Sequence, residues 1–120
     1  MGKICIGKTS DIAQGQAKGF DPMRRGKDSM FVVRKGEQLF AYVDICPHYG
    51  TTSLPWKRHK YLDSAAGYLV CAAHGALFDI ETGLCVQGPC LGQKLDEIPL
   101  EVSCQKDILL SLTTIEEFKL

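Results

Sequence analysis

Phe31-Val32-Val33-Arg34-Lys35-Gly36-Glu37-Gln38-Leu39-Phe40-Ala41-Tyr42-Val43 is the stretch whose reading decides the fold. Two β-prone runs, Phe31–Val33 and Leu39–Val43, flank a charged connector of five residues that contains a glycine, which predicts a β-hairpin. The same rhythm recurs further along the chain. Tyr68-Leu69-Val70-Cys71 and Ala76-Leu77-Phe78-Asp79-Ile80 make a second pair around Ala72-Ala73-His74-Gly75, and Glu81-Thr82-Gly83 turns the chain into Leu84-Cys85-Val86. Ile98-Pro99-Leu100-Glu101-Val102-Ser103 and Ile108-Leu109-Leu110-Ser111-Leu112 make a third pair around Gln105-Lys106-Asp107. No window longer than ~12 residues holds a 3.6-residue apolar period. Asp11-Ile12-Ala13-Gln14 supports one helical turn before Gly15. Many short strands with frequent turns predict an antiparallel all-β sandwich or small barrel.

The bulk numbers narrow the functional classes. A length of 120 residues fits a single domain, in which folding buries roughly two-thirds of the chain's surface. With 45% hydrophobic and 23% charged residues the composition is that of a globular protein. The formal net charge is zero, which argues against a bulk electrostatic nucleic-acid binder. No apolar run reaches the ~18 residues of a membrane helix. Met1 to Lys8 lacks the long apolar stretch of a secretory signal, so the expectation is a cytoplasmic protein with no membrane partner. The zero charge conceals an asymmetry. Residues 1–45 carry eight basic and five acidic side chains, residues 46–95 four and three, and residues 96–120 two and six.

Six cysteines is the unusual count. Without a secretory signal a disulfide framework is disfavoured, leaving buried thiols, metal ligands or a reactive cysteine. Two short pairs stand out: Cys46-Pro47-His48, of the form C-x-H, and Cys71-Ala72-Ala73-His74, of the form C-x-x-H, with 22 residues between His48 and Cys71. Two such turns facing each other supply two thiolates and two imidazoles. That set holds either one tetrahedral zinc or a two-iron cluster with two cysteines on one iron and two histidines on the other. Residues 49–67 break the strand rhythm. They are polar, contain Pro55 and Trp56, and carry Lys57-Arg58-His59-Lys60. A loop of this length in a compact domain is usually functional or mobile.

At these residues the sequence resembles a family. Cys46-Pro47-His48-Tyr49-Gly50, then Cys71-Ala72-Ala73-His74-Gly75-Ala76-Leu77-Phe78-Asp79, then Thr82-Gly83 and Gly88-Pro89, are similar in kind and order to the Rieske-type ferredoxins of ring-hydroxylating oxygenase systems. The resemblance spans nearly the whole chain. It implies a single Rieske domain over residues 1–120, a β-sandwich base with a small cluster-binding subdomain at about residues 45–91. It implies one [2Fe–2S] cluster per chain, with Cys46 and Cys71 on the inner iron, His48 and His74 on the outer iron, and Gly88-Pro89 in a covering loop. It also implies a monomeric electron carrier, not an enzyme, that passes electrons from a flavin-containing ferredoxin reductase to a terminal oxygenase.

High-potential relatives have a serine and a tyrosine where this chain has Ala76 and Phe78, and a disulfide whose cysteines would fall at Thr51 and Ala73. The resemblance therefore implies a potential toward the low end of the ~−150 to +300 mV Rieske span. Two other readings use the same four residues: a Rieske-like small subunit of a nitrite reductase, and a structural zinc module.

The remaining residues receive plainer expectations. Cys5 and Cys104 read as core or near-core thiols, Cys85 and Cys90 as free thiols flanking the Gly88-Pro89 turn, and His59 as a solvated side chain. Trp56 with the following basic run is a candidate docking surface for an acidic partner.

Overall fold

The β3–β4 hairpin forms the middle of the molecule. In the computed structural model, which describes residues 2–45, 54, 59–62, 67–71 and 75–120, β3 (Met30–Lys35) pairs antiparallel with β4 (Gln38–Val43). The ladder runs out to Lys35 opposite Gln38, so Gly36 and Glu37 alone make the turn. The five-residue connector read from the sequence is thus mostly strand, because Arg34 pairs with Leu39 and Lys35 with Gln38 across the ladder. β2 (Ala17–Phe20) lies on the other side of β3.

Two further three-stranded antiparallel sheets flank this one. The first combines β1 (Lys3–Lys8), β9 (Asp107–Ser111) and β8 (Glu101–Val102), with β9 in the middle. The second runs in sequence order through β5 (Leu69–Cys71), β6 (Ala76–Phe78) and β7 (Cys85–Gln87).

Met30, Phe31, Val32 and Val33 are all fully buried, which explains why β3 shows an unbroken apolar run and no alternation. Side chains alternate across a strand, and here each set meets a different core. Phe31 and Val33 join Tyr42, Leu69, Cys71 and Phe78 on the β5–β7 side. Met30 and Val32 join Ala41, Val43, Ile108 and Leu110 on the β1/β8/β9 side.

The structure departs from the sequence reading at several ends. The last strand stops at Ser111, not Leu112, and the chain turns into α1 (Leu112–Glu117). Ser111 caps it, its Oγ accepting from the Thr114 N–H at 3.0 Å. A six-residue helix is too short to print a 3.6-residue period. The early helical turn is a 3-10 turn at Thr9–Asp11, two residues ahead of the expected position, and Asp11 Oδ2 accepts from the Lys8 N–H at 2.8 Å. Cys5 and Cys104 are exposed, which corrects their reading as core thiols. Cys5 lies on an edge strand whose neighbours Ile4 and Ile6 take the inward positions, and Cys104 lies in the turn before β9.

Candidate metal centre

The second cysteine–histidine pair belongs to the β5–β6 hairpin. Cys71 ends β5 and lies opposite Ala76 at the start of β6. It is fully buried. The Gly75 N–H donates to the Cys71 carbonyl at 2.7 Å, which closes the four-residue connection between the strands. One ladder partner and one short backbone hydrogen bond therefore hold Cys71 in place. His74 lies within that connection, so its ends are held together. Cys46, His48 and His74 themselves lie outside the described residues.

A buried carboxylate precedes the first pair in the chain. Asp44 follows β4 directly and stands two residues before Cys46. Its Oδ1 accepts from the Leu54 N–H at 2.9 Å, and its Oδ2 from the Tyr61 hydroxyl at 3.1 Å. The Asp44 N–H donates to the Ser29 carbonyl at 3.0 Å. A buried carboxylate is retained where charge-accepting hydrogen bonds satisfy it. One side chain thus draws together both ends of the segment that carries Cys46 and His48. Tyr61 is fixed in turn by stacking on Phe31, with ring centroids 4.2 Å apart and planes 19° apart.

Asp44 and Tyr61 escaped the sequence reading. Their available signal was an acidic residue at a strand end just ahead of C-x-H. His59 also differs from expectation. It is half-buried, and its Nδ1 accepts the Gly19 N–H of β2 at 2.9 Å, so it ties the inserted segment to the central sheet and is not a solvated side chain.

The third loop approaches the hairpin from above β6. Gly88 has φ +111°, and a Cβ there would stand 2.8 Å from the Ala76 Cα. Only glycine permits this approach. The loop containing Gly88 and Pro89 therefore rests on the residue that pairs with Cys71. Beside it, the Phe78-Asp79-Ile80-Glu81-Thr82-Gly83 stretch is structural. Asp79 Oδ2 accepts from both the N–H and the hydroxyl of Thr82, and Gly83 lies against the Tyr42 ring. The Tyr42 hydroxyl donates to the Ile80 carbonyl at 2.7 Å. Burial, reinforced by the negative charges of Glu97, Asp79 and Glu81, pushes its phenol well above the ordinary value of 10.0.

The charge asymmetry of the sequence is partly cancelled across one sheet. Lys3 pairs with Glu101 at 2.6 Å and Lys8 with Asp107 at 2.7 Å, joining the basic first strand to the acidic C-terminal segment.

Comparison with known proteins agrees with this geometry. Residues 2–111 match the family model described as the Rieske [2Fe-2S] domain. No curated protein matches the sequence. Among solved structures, a chain from a complex of reduced oxygenase and oxidized ferredoxin in carbazole 1,9a-dioxygenase is 27% identical. It has a TM-score of 0.68, with 91% of this chain and 92% of that chain covered. The ferredoxin of carbazole 1,9a-dioxygenase from Nocardioides aromaticivorans IC177 shares the fold at 19% identity and a TM-score of 0.68, covering 92% of this chain and 99% of that one. The Sphingomonas yanoikuyae B1 ferredoxin shares it at 19% identity and a TM-score of 0.70, covering 92% and 98%.

The described part of the site fits a Rieske cluster. It offers a buried thiol at the end of a hairpin strand, and the sequence carries a histidine three residues on. A loop without a side chain at Gly88 packs beside them. The antiparallel sheets, the hairpin at Cys71 and the match over residues 2–111 place this chain in the Rieske [2Fe–2S] domain family.

Proposed function

We propose that this protein is an electron carrier of a multicomponent oxygenase system. It takes one electron at a time from a flavin-containing reductase and delivers it to a terminal oxygenase acting on an aromatic or related substrate. Cys46, His48, Cys71 and His74 hold the [2Fe–2S] cluster, the cysteines on one iron and the histidines on the other. The observation that carries this reading is the likeness, over nine-tenths of both chains, to a structure described as a complex of oxygenase and ferredoxin.

The cluster, when bound, supplies a one-electron site whose potential lies above that of all-cysteine centres. The chain supplies the rest. The β5–β6 hairpin holds Cys71 away from water, and Asp44 clamps the loop of Cys46 and His48. Ala76 and Phe78 bring no hydroxyl toward the site, which supports a potential at the low end of the Rieske span. Residues of about 45–91 make up the cluster-binding subdomain, and the separate β5–β6–β7 sheet supports that division. We take the protein to act as a monomer in the cytoplasm. No helix among the described residues is long and apolar enough to cross a membrane.

Anaerobic purification followed by iron, sulfide and zinc analysis tests the centre. The expected result is two irons per chain and a coloured protein that becomes paramagnetic on reduction. Zinc in place of iron, or a colourless protein after iron–sulfur reconstitution, would overturn it. Cys71→Ser is expected to abolish the visible spectrum. Reconstituted turnover with the reductase and oxygenase encoded alongside the protein tests the partners.

A further inference from the structure

Four cysteines have no role in the cluster, and two of them meet. Cys85 begins β7, and Cys90 lies beyond the Gly88-Pro89 turn. Their sulfurs are 3.0 Å apart, and both residues are buried at 1% exposure. The Cys90 thiol donates to Cys85 Sγ, and the Cys85 thiol donates to the Gln87 carbonyl at 3.3 Å. The backbone fixes the pair. The Cys85 N–H donates to the Gln93 carbonyl at 2.7 Å, the Gly92 N–H to the Cys85 carbonyl at 3.1 Å, and the Gln93 N–H to the Cys90 carbonyl at 2.8 Å. A disulfide requires an S–S bond of about 2.05 Å, so the sulfurs need to close by only about one ångström.

The location gives the pair its meaning. The segment between the two cysteines contains Gly88, which rests on Ala76, the ladder partner of Cys71. Above the buried sulfurs, Val86, Gln87, Gly88, Pro89 and Leu91 are exposed, so a modest opening of this loop admits a small oxidant.

We propose that Cys85 and Cys90 are a dithiol–disulfide modification site that locks the Gly88-Pro89 loop. The oxidant is a low-molecular-weight disulfide of the glutathione class. In the first step the thiolate of one cysteine attacks the oxidised glutathione, forming a mixed disulfide and releasing one glutathione thiol. The second cysteine then displaces the remaining glutathione, also as its thiol. Two electrons pass from the pair to the oxidant, and the two protons of the cysteines leave with the two glutathione thiols. The link removes both S–H donors and fastens the two ends of the loop covalently. That this loop covers the cluster belongs to the function proposed above, but the chemistry of the pair does not depend on it.

The test uses the intact protein with Cys5→Ser and Cys104→Ser, which silences the exposed thiols. The protein is held with oxidised glutathione, quenched by alkylation under denaturing conditions, and mapped by proteolysis and mass spectrometry. The expected product is a peptide cross-linked between Cys85 and Cys90, lighter by two hydrogens and restored by dithiothreitol. In the linked form, amide hydrogen exchange at Gly92 and Gln93 is expected to slow at least several-fold. Cys90→Ser should abolish both effects.

A stable glutathione adduct on either cysteine without the internal link would overturn the proposal. So would two thiols that remain fully alkylated while the visible spectrum is intact. If the link forms in protein that holds no iron, the pair stands and the cluster reading falls. If the cluster is present and the link does not form, the reverse holds.

Discussion

Tyr42 and Gly88 carry much of the specificity at the scale of single residues. The Tyr42 hydroxyl has one described partner, the Ile80 carbonyl, and lies in a closed apolar cluster. Tyr42→Phe removes the donor and leaves a buried carbonyl with one bond fewer, an expected loss of ~1 kcal/mol in chemical denaturation. The pH dependence has a definite sign. The folded phenol keeps its proton above its ordinary value of 10.0, whereas the unfolded phenol loses it. The unfolded state then binds fewer protons, so Tyr42 stability is intact below pH 10 and declines above it. Denaturation midpoints measured from pH 8 to pH 11 should fall more steeply for the wild type than for Tyr42→Phe.

At Gly88, alanine meets both the Ala76 backbone and an unfavourable φ of +111°. Gly88→Ala is expected to cost ~2 kcal/mol or more, since strained non-glycine backbone alone costs about 1–3 kcal/mol. A thermal midpoint equal to that of the wild type would show that the loop yields freely.

Among the elements, the two chain segments that contain the cysteine–histidine pairs are flanked by different contacts. The Cys71–His74 loop is a hairpin connection, held by its own strands. The Asp44 carboxylate, two residues before Cys46, accepts from Leu54 and Tyr61 and so joins described residues on both sides of the chain segment that contains Cys46 and His48. Asp44→Ala leaves a buried N–H and a buried hydroxyl without this acceptor, each worth ~1–3 kcal/mol. It is therefore expected to lower both stability and cluster retention. Asp44→Asn, which keeps one acceptor oxygen, should rescue part of the loss. Cluster half-life in the presence of a chelator, followed by visible absorbance, checks the order wild type, Asn, Ala.

At the scale of the whole molecule, the central sheet supports one core on each face. The core on the β5–β7 side contains Cys71 together with Phe31, Tyr42 and Tyr61, so this cysteine belongs to the packed interior. Electrostatics at this scale differ from the sequence tally. Lys3 and Lys8 are neutralised within the sheet, and the sequence carries further basic clusters at residues 18–27 and 57–60. If the basic insertion docks an acidic partner, reversing the charge at Lys57, Arg58 and Lys60 should slow electron transfer ~10-fold or more at low salt, as steered association allows. Stopped-flow rates for wild type and variant should converge near 1 M salt, where the screening length is only ~3 Å. Equal rates at low salt would place the docking surface elsewhere.

The sequence by itself determined the strand-and-turn class, the two cysteine–histidine pairs and the family they mark. Period-2 strands, tight turns and short ligand spacings are all local in the chain. The sequence read Phe31-Val32-Val33 as a strand, and only the structure shows that Met30 to Val33 are buried on both faces. What only the tertiary structure decided are relations between distant segments. Asp44 meets Leu54 and Tyr61, and His59 meets Gly19. Gly88 rests on Ala76, and the first lysines pair with Glu101 and Asp107. Cys5, Cys85, Cys90 and Cys104 make the same point with one residue type. Side-chain direction and strand order leave Cys5 and Cys104 in solvent and bring Cys85 and Cys90 together in the core. Local composition records neither, because burial is fixed by which face of which strand packs against another.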